Sequence, residues 1–338
     1  MPATALPPAT LAELHVALDT SLAYAATYPV RHLRLSNHLP MVLSALYRLQ
    51  APAASLDALV KLHVQRLEAL PPDALEATLT GEVADEIRHT DVATMLARRL
   101  PGLLEASETA AFHGLIRLAH ALDTGHAGEI TRALAAWQAQ RHSLGTVPEP
   151  DGGRTLLHET LGRVAADPAL AFTPREGTLI TDDMQRAAAL PGFAAAVSGP
   201  EAPTDDALTL DALAEASLAV YLASRDFTAL HLVTGCHALR QVLPHARLGA
   251  ETQRRILRGV WRAWLAAWVS IGRPRPDWAA VRAGAASEAD WAGAIPLLAA
   301  SRDDHRIKLA WSALDEWRHR GWPGYARVLQ SATAEVAA

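Results

Sequence analysis

Apolar residues recur at helical spacing along most of the chain, and this recurrence predicts a series of α-helices joined by short breaks. The predicted helices lie near residues 9–27, 35–50, 54–69, 83–100, 107–123, 127–142, 154–166, 207–224, 226–243, 250–271, 287–299 and 302–320. Prolines and glycines mark two irregular segments, 145–153 and 167–206, and the second leaves room for a short helix around 182–190. Because candidate ligands lie on both sides of these segments, we expect one domain over residues 1–338.

Polar residues that are typical of N-caps precede two of these helices. Ser107, Glu108 and Thr109 are expected to open the helix that carries His113. Ser301 is followed three positions later by Asp304, which is the spacing of a capping box. That box is expected to start the helix that carries His305.

The composition supports an all-α protein. Half of the residues are apolar and a fifth are charged, and the strong helix formers Ala and Leu dominate. Trp261, Trp264 and Trp268 share one face of a predicted helix, a stripe that is more often core than the wall of an aromatic-substrate site. The formal charge of −5 argues against nucleic acid as a partner. Cys236 is the only cysteine, which excludes an intramolecular disulfide and a cysteine-rich zinc site.

The sequence indicates neither a membrane protein nor a nucleotide-binding fold. The first residues do not resemble a signal peptide, and the longest uncharged run, 187–200, falls short of the roughly 20 residues that cross a bilayer. We therefore expect a cytoplasmic protein without membrane partners. Dinucleotide, P-loop, nucleophile-elbow and zincin motifs do not occur, so no motif for NADPH or a flavin is present. The oligomeric state stays open.

Histidines are the remaining candidates for chemistry, and the chain has 15 of them. His38 precedes a helix that is apolar nearly all round, and His231 and His237 lie in a segment that is apolar on every face. A buried imidazole is either a core residue with a hydrogen-bond partner or a metal ligand, and the first is commoner. Six positions separate the side chains of His231 and His237 by roughly 120° on a helix, so one ion should not bind both. His237 is therefore expected to be buried without being a direct ligand.

Two further pairs lie at helical spacing. His113 and His120 are two turns apart on one face, beside an apolar stripe. His305 and Lys308 are one turn apart, but Asp304 and Lys308 are also spaced as an exposed ion pair. Taken alone, this last segment indicates a solvated helix face.

Four of these segments in this order resemble the questin oxidase-like family. They are SNHLPMVLSALYRL, FHGLIRLAHAL, FTALHLVTGCHALR and DDHRIKLAWSAL, and the resemblance extends over most of the chain. The family includes fungal enzymes that oxidise or cleave anthraquinone-type polyketides, by Baeyer–Villiger-like oxidation or by dioxygenation. His120 stands where the family pattern has tyrosine, and bacterial-type members also keep the histidine that corresponds to His237.

The resemblance implies a helical fold around a non-haem iron, with its metal site between helices. The implied metal ligands are four imidazoles and a carbamylated lysine, namely His38, His113, His231, His305 and Lys308. Asp303 or Asp304 is a candidate to hold the second nitrogen of a ligating imidazole. The residues expected to line the substrate site or support the ligands are His120, His237 and Trp311.

Three functions remain open from the sequence. The first is an iron-dependent oxygenase that combines O2 with an aromatic polyketide, with NADPH as a conceivable reductant. The second is a zinc-type hydrolase or lyase that uses the same histidines, because imidazole suits both metals. The third is a non-enzymatic helical binding protein whose histidines belong to its core.

Overall fold

The computed structural model describes residues 7–147, 155–200 and 202–334, and within these ranges the protein is almost entirely helical. The prediction of an all-α fold is confirmed: the described residues form seventeen α-helices, two short 3-10 turns and one two-stranded sheet. The helices are α1 Leu11–Ser21, α2 Leu39–Arg48, α3 Ala53–Val64, α4 Leu75–His89, α5 Val92–Leu104, α6 His113–Thr124, α7 Ala127–Ala139, α8 Leu157–Ala166, α9 Ile180–Ala188, α10 Phe193–Ser198, α11 Leu210–Ser224, α12 Phe227–Val242, α13 Ala250–Ser270, α14 Trp278–Arg282, α15 Glu288–Ala299, α16 Asp304–Arg320 and α17 Gly324–Ala334.

The sheet is a hairpin that the hydrophobic pattern does not predict. Strands β1, Thr27–Val30, and β2, Leu33–Ser36, pair antiparallel with Thr27 opposite Ser36. Arg31, in the turn, has a positive φ of 55°. The predicted helices 9–27 and 35–50 are therefore too long, since α1 ends at Ser21 and α2 begins at Leu39. Pro29 disfavours a helix at this position because it has no backbone N–H to donate to the helix.

Two predicted helices begin or divide elsewhere. The predicted helix 83–100 is two helices, because the Asp91 carboxylate caps α5 by accepting a hydrogen bond from Thr94 N at 2.8 Å. The prediction that residues 107–109 open the helix of His113 is wrong. Residues 110–112 all have positive φ, which ends any helix before them, so α6 begins at His113 itself. At α16 the cap is Asp303 rather than Ser301.

The irregular segments differ in content. Residues 145–147 are non-helical as predicted, and 148–153 lie outside the described residues. The short helix expected around 182–190 is confirmed as α9, and the same stretch also holds α10. Helices α14 and α17 are additional to the prediction.

The chain contacts group into two compact units. The first comprises Met1–Asp85, Ile116–Ala139 and Ala283–Ala338, and the second Glu86–Leu115 and Gln140–Arg282. In the first unit, α1, α2 and α3 pack on one another, and α16 packs against α2 and α17. In the second, α12 packs against α11 and α13, and α13 also contacts α5, α9 and α10. A single domain over the whole chain stays a prediction.

The tryptophan stripe of α13 is part of the second unit's core. Trp261, Trp264 and Trp268 are all fully buried, and the Trp264 indole N–H donates to Ser217 Oγ at 2.8 Å. The core interpretation of this stripe is confirmed. Among the described residues, no helix combines the length and the apolarity that a membrane crossing requires.

Candidate functional site

The hairpin holds His38 at the start of α2. Asn37 directly follows the hairpin, and its backbone N–H donates to Ala26 O at 2.8 Å. Its side chain donates to Ala25 O at 3.1 Å and accepts from Leu39 N at 3.0 Å. Both the NH2 group and the carbonyl oxygen of the Asn37 side chain are therefore hydrogen-bonded to the backbone. These bonds fix the chain on either side of His38.

Helix α16 brings His305 beside His38 within the first unit. The Asp303 carboxylate accepts hydrogen bonds from His305 N at 2.9 Å and Arg306 N at 3.3 Å, which satisfies the first amides of the helix. The His305 and His38 rings lie with centroids 4.5 Å apart and planes at 88°. Lys308 follows one turn later and is 2% exposed. The first unit thus places His38 and His305 in contact, with Lys308 buried one turn further along α16.

A buried carboxylate, Asp304, lies at the centre of this cluster. Its Oδ2 is 3.4 Å from His38 Nδ1 and 3.1 Å from Arg66 Nη2, and its Oδ1 is 3.0 Å from His63 Nε2. Burial alone would raise the pKa of Asp304. The hydrogen bond from His63 and the charges of His63, Arg66 and Lys308 outweigh burial and hold that pKa below its ordinary value. Asp304 is therefore a carboxylate that faces the second nitrogen of His38, the arrangement expected of Asp303 or Asp304.

Lys308 is a buried amine. Burial lowers the pKa of Lys308 from 10.5 to about 7, although the charges of Asp304 and Asp303 raise it. In a large fraction of the molecules the Lys308 amine is then neutral near pH 7, whereas an exposed lysine would be almost fully charged. The alternative of an exposed Asp304–Lys308 pair on a solvated face is wrong, because Asp304 is only 8% exposed and α16 packs against α2 and α17.

The second unit contains the other predicted pair, His113 and His231. Their ring centroids are 5.0 Å apart with planes at 53°. His113 Nδ1 lies 2.5 Å from Ala110 O, and His231 Nδ1 lies 2.8 Å from Phe227 O. A carbonyl can only accept, so both Nδ1 atoms donate and each neutral ring carries its lone pair on Nε2. This is the tautomer in which a histidine binds a metal through Nε2.

A strained segment positions His113. Ala110, Ala111 and Phe112 have φ values of 51°, 53° and 68°, a conformation that costs non-glycine residues about 1–3 kcal/mol each. Phe112 is buried and packs over Gly235 of α12, where an added Cβ would lie 3.3 Å from Phe112 Cγ. The absence of a side chain at Gly235 lets Phe112 approach α12. The same helix carries His231, so this packing helps to place His113 beside it.

The three residues predicted to line a substrate site are all buried. In the first unit, His120 Nδ1 is 3.1 Å from Ser44 Oγ, and the Arg48 guanidinium lies 5.9 Å from the centre of a Trp311 ring. In the second unit, His237 is buried, as predicted, with its Nε2 3.5 Å from Gln241 Nε2. Their contact with a substrate stays a prediction.

Sequence reasoning missed His63 and Arg66. His63 shares the buried face of α3 with Leu56 and Leu59, at positions i, i+3 and i+7. That spacing was available as a signal that the imidazole points into the core. Its partner Asp304 lies 241 positions away, and no local pattern connects the two.

Each unit contains donor groups of the kinds that bind divalent metal ions. His38, His113 and His231 each have Nδ1 facing a carboxylate or carbonyl oxygen, which favours the neutral tautomer with a lone pair on Nε2. A neutral buried amine at Lys308 adds a residue that can become an oxygen donor. Nitrogen and oxygen donors of this kind suit iron and zinc alike.

A helical enzyme with histidine-based chemistry is the class that this fold and these residues indicate. The family model for questin oxidase-like proteins matches residues 82–313, well over half of the chain, and the chain therefore belongs to the questin oxidase-like family. Membership in this family implies that the chain is an oxidoreductase. The matched range contains every predicted site residue except His38. No curated protein matches the sequence.

Proposed function

We propose that the protein is a non-haem-iron oxygenase that acts on an anthraquinone-like aromatic polyketide, by Baeyer–Villiger-like oxidation or by ring cleavage. The observation that carries the proposal is the state of the imidazoles: three of the four proposed histidine ligands direct Nδ1 at an acceptor. Histidines that serve only as core residues have no need of a common tautomer. Family membership supports the oxidation, and the neutral Nε2 atoms support the metal.

The proposed ligands come in three groups. They are the histidine pair of the first unit, His38 and His305, the pair of the second unit, His113 and His231, and carbamylated Lys308. When bound, iron would supply the one-electron chemistry that lets triplet O2 react with a closed-shell aromatic ring. The protein's own contribution is to hold each imidazole neutral and oriented.

The burial of Lys308 supports its carbamylation. A neutral lysine amine adds to carbon dioxide and releases one proton, which leaves an N-carboxylate with a single negative charge. An exposed, protonated lysine has no lone pair for this step. The buried Lys308 has one, and the anionic oxygen that results is the carboxylate-like donor that iron(II) sites use beside histidine.

Substrate binding is proposed for Trp311, His120 and His237. An indole face stacks on flat aromatic ligands, and imidazoles can hydrogen-bond to quinone or phenol oxygens. Monooxygenation also consumes two electrons beyond those of the substrate, for which NADPH is the proposed donor, whereas dioxygenation needs none. The stoichiometry of NADPH oxidised per O2 consumed separates the two reactions.

The proposal is tested on protein purified without added metal. Elemental analysis should find about one iron per chain, and anthraquinones should stimulate O2 consumption. Replacement of His231 by Ala should remove both, while replacement of His158, an exposed residue of α8, should change neither. Zinc with hydrolytic activity would favour the hydrolase alternative, and metal-free protein that binds no iron would contradict the proposal.

A further inference from the structure

We propose that His63 and Arg66 are positioning residues that hold the Asp304 carboxylate against His38 Nδ1, so that His38 presents Nε2 to a metal. The inference rests on the proposed function for the metal, but the arrangement itself is a property of the metal-free first unit. Both residues lie far from α16 in the sequence and reach Asp304 from α3 and the residues just after it.

The contacts of Asp304 divide between its two oxygens. Oδ1 is 3.0 Å from His63 Nε2, and Oδ2 is 3.1 Å from Arg66 Nη2 and 3.4 Å from His38 Nδ1. His63 is completely buried, so its hydrogen bond to Asp304 forms out of contact with solvent. A carboxylate held on one side by His63 and Arg66 cannot rotate away from His38 without losing both of these bonds. The orientation of the carboxylate at His38 is therefore set by His63 and Arg66.

His63 is a hydrogen-bond donor here rather than a further ligand. Arg66 Nη2 lies 3.2 Å from His63 Nδ1, and a guanidinium that close repels a metal cation. The same Arg66 Nη2 lies 3.1 Å from His63 Nε2, so the guanidinium packs against the ring while Nε2 donates to Asp304. The Arg66 guanidinium also lies 5.6 Å from the ring centre of Tyr28 in strand β1. The hairpin thus supports the cluster twice, through Tyr28 at Arg66 and through Asn37 beside His38.

The consequence for His38 is electrostatic and geometric. A carboxylate at Nδ1 favours the tautomer with the proton on Nδ1, raises the basicity of Nε2 and limits rotation of the ring. Without His63, the Asp304 carboxylate would lose the bond that holds its Oδ1 and could turn away from His38 Nδ1. Loss of such a supporting contact typically lowers metal affinity by about 10–100-fold.

The test compares His63→Leu, which removes the donor, with His63→Gln, whose amide N–H can replace it. His126→Leu is the matched control, because His126 is a second buried histidine of the first unit, with Nε2 3.1 Å from Asp19 Oδ1. Nitrogen-15 NMR of metal-free protein reports the tautomer of His38, whose signal is identified by its loss in His38→Asn. Cobalt(II) titration then reports metal affinity.

We expect the Nδ1–H tautomer at His38 in the wild type, in His63→Gln and in His126→Leu. His63→Leu should show a mixture of His38 tautomers and bind cobalt at least tenfold more weakly. If His63→Leu does not fold, Arg66→Met replaces it and should shift both the tautomer and the cobalt affinity in the same direction. An unchanged tautomer and unchanged affinity in the variants of both positions would overturn the inference. A wild type that binds no metal would refute the proposed function instead, and the tautomer of His38 would still decide the inference.

Discussion

His38 and His305 face each other at right angles across the start of two helices, with ring centroids 4.5 Å apart. Each ring belongs to the first residues of its helix, where the chain has just left a loop or a hairpin. Asn37 fixes the backbone at one ring and Asp303 at the other. Helix starts leave amides that need acceptors, and here the same polar side chains that satisfy those amides also hold the two imidazoles in place.

Lys308 should carry a carbamate in the metal-bound protein. The chain has only two lysines, Lys308 and the exposed Lys61, so the assignment needs only two variants. After equilibration with 13C-bicarbonate, 13C NMR should show one carbamate signal that Lys61→Arg keeps and Lys308→Arg loses. A signal that disappears in Lys61→Arg, or no signal in fully metallated wild type, would contradict the assignment.

Substitution of Lys308 should abolish metal binding rather than merely weaken the fold. Lys308→Ala removes the oxygen donor, and Lys308→Arg keeps a positive charge but cannot form the carbamate. Both variants should lose at least tenfold in iron occupancy and turnover, as judged by elemental analysis and O2 uptake. Lys61→Ala should match the wild type. A fully metallated, active Lys308→Arg variant would remove Lys308 from the ligand set.

The stability of metal-free protein should rise with pH between about 7 and 10.5. Burial lowers the folded-state pKa of Lys308 from 10.5 to about 7, so in this window the unfolded chain binds a proton that the folded chain has lost. The slope of the free energy of unfolding follows the protons bound by the unfolded minus the folded state, and it is positive. Stability is correspondingly lost as the pH falls from 10.5 towards 7.

Urea unfolding in the presence of a chelator measures this effect. Lys308→Met should flatten the rise in the free energy of unfolding, because the variant has no amine to titrate. Lys61→Met should leave the rise intact. A constant difference between wild type and Lys308→Met across this pH range would show that the amine titrates normally.

Breaking the buried ion pair of Glu108 and Arg262 should destabilise the second unit strongly. Arg262 Nη2 donates to Glu108 Oε1 at 2.7 Å, both side chains are buried, and Glu108 Oε1 also accepts from Leu144 N. Arg262→Met leaves a buried carboxylate without its cation, at a cost of about 3–5 kcal/mol.

An exposed pair of the first unit provides the comparison. Arg318 lies 2.9 Å from Glu288 with both side chains about half exposed, so Arg318→Met should lower the free energy of unfolding far less than Arg262→Met. Urea denaturation of both variants measures the contrast. Equal losses in the free energy of unfolding would mean that burial does not govern these pairs.

Gly235→Ala should stabilise the protein less than Gly259→Ala. Both glycines lie inside helices, where alanine is favoured by about 1 kcal/mol. At Gly259 an added Cβ meets nothing within 4 Å, so the full gain is expected. At Gly235 the added Cβ lies against Phe112, so the Phe112 side chain must shift. Because His113 directly follows Phe112, this shift should also move His113.

Thermal melts and cobalt titration distinguish the two glycines. Gly259→Ala should raise the melting temperature and leave metal affinity unchanged. Gly235→Ala should raise it less, or lower it, and weaken metal binding. If both variants behave alike in both measurements, the contact of Phe112 with Gly235 does not position His113.

The amino-acid sequence by itself determined most of the helices, because apolar periodicity is a property of neighbouring residues. It also carried the four histidine segments that led to the family, and the burial of His231 and His237, since their helix is apolar on every face. The hairpin at 27–36 escaped prediction because four-residue strands are too short to show a period. The start of α6 was misplaced because residues 110–112 have positive φ, and no pattern in the sequence indicates that conformation for non-glycine residues.

Only the tertiary structure decided what surrounds each polar side chain. The spacing of Asp304 and Lys308 shows that the two share a helix face, but it says nothing about which helices cover that face. Packing of α16 against α2 and α17 turned an expected surface pair into a buried carboxylate and a buried amine. The contact of His63 with Asp304 joins residues 241 positions apart. The hydrogen bond between them is shielded from water only because the fold buries both side chains. Desolvation depends on the whole fold, whereas helical periodicity depends on a few turns of chain.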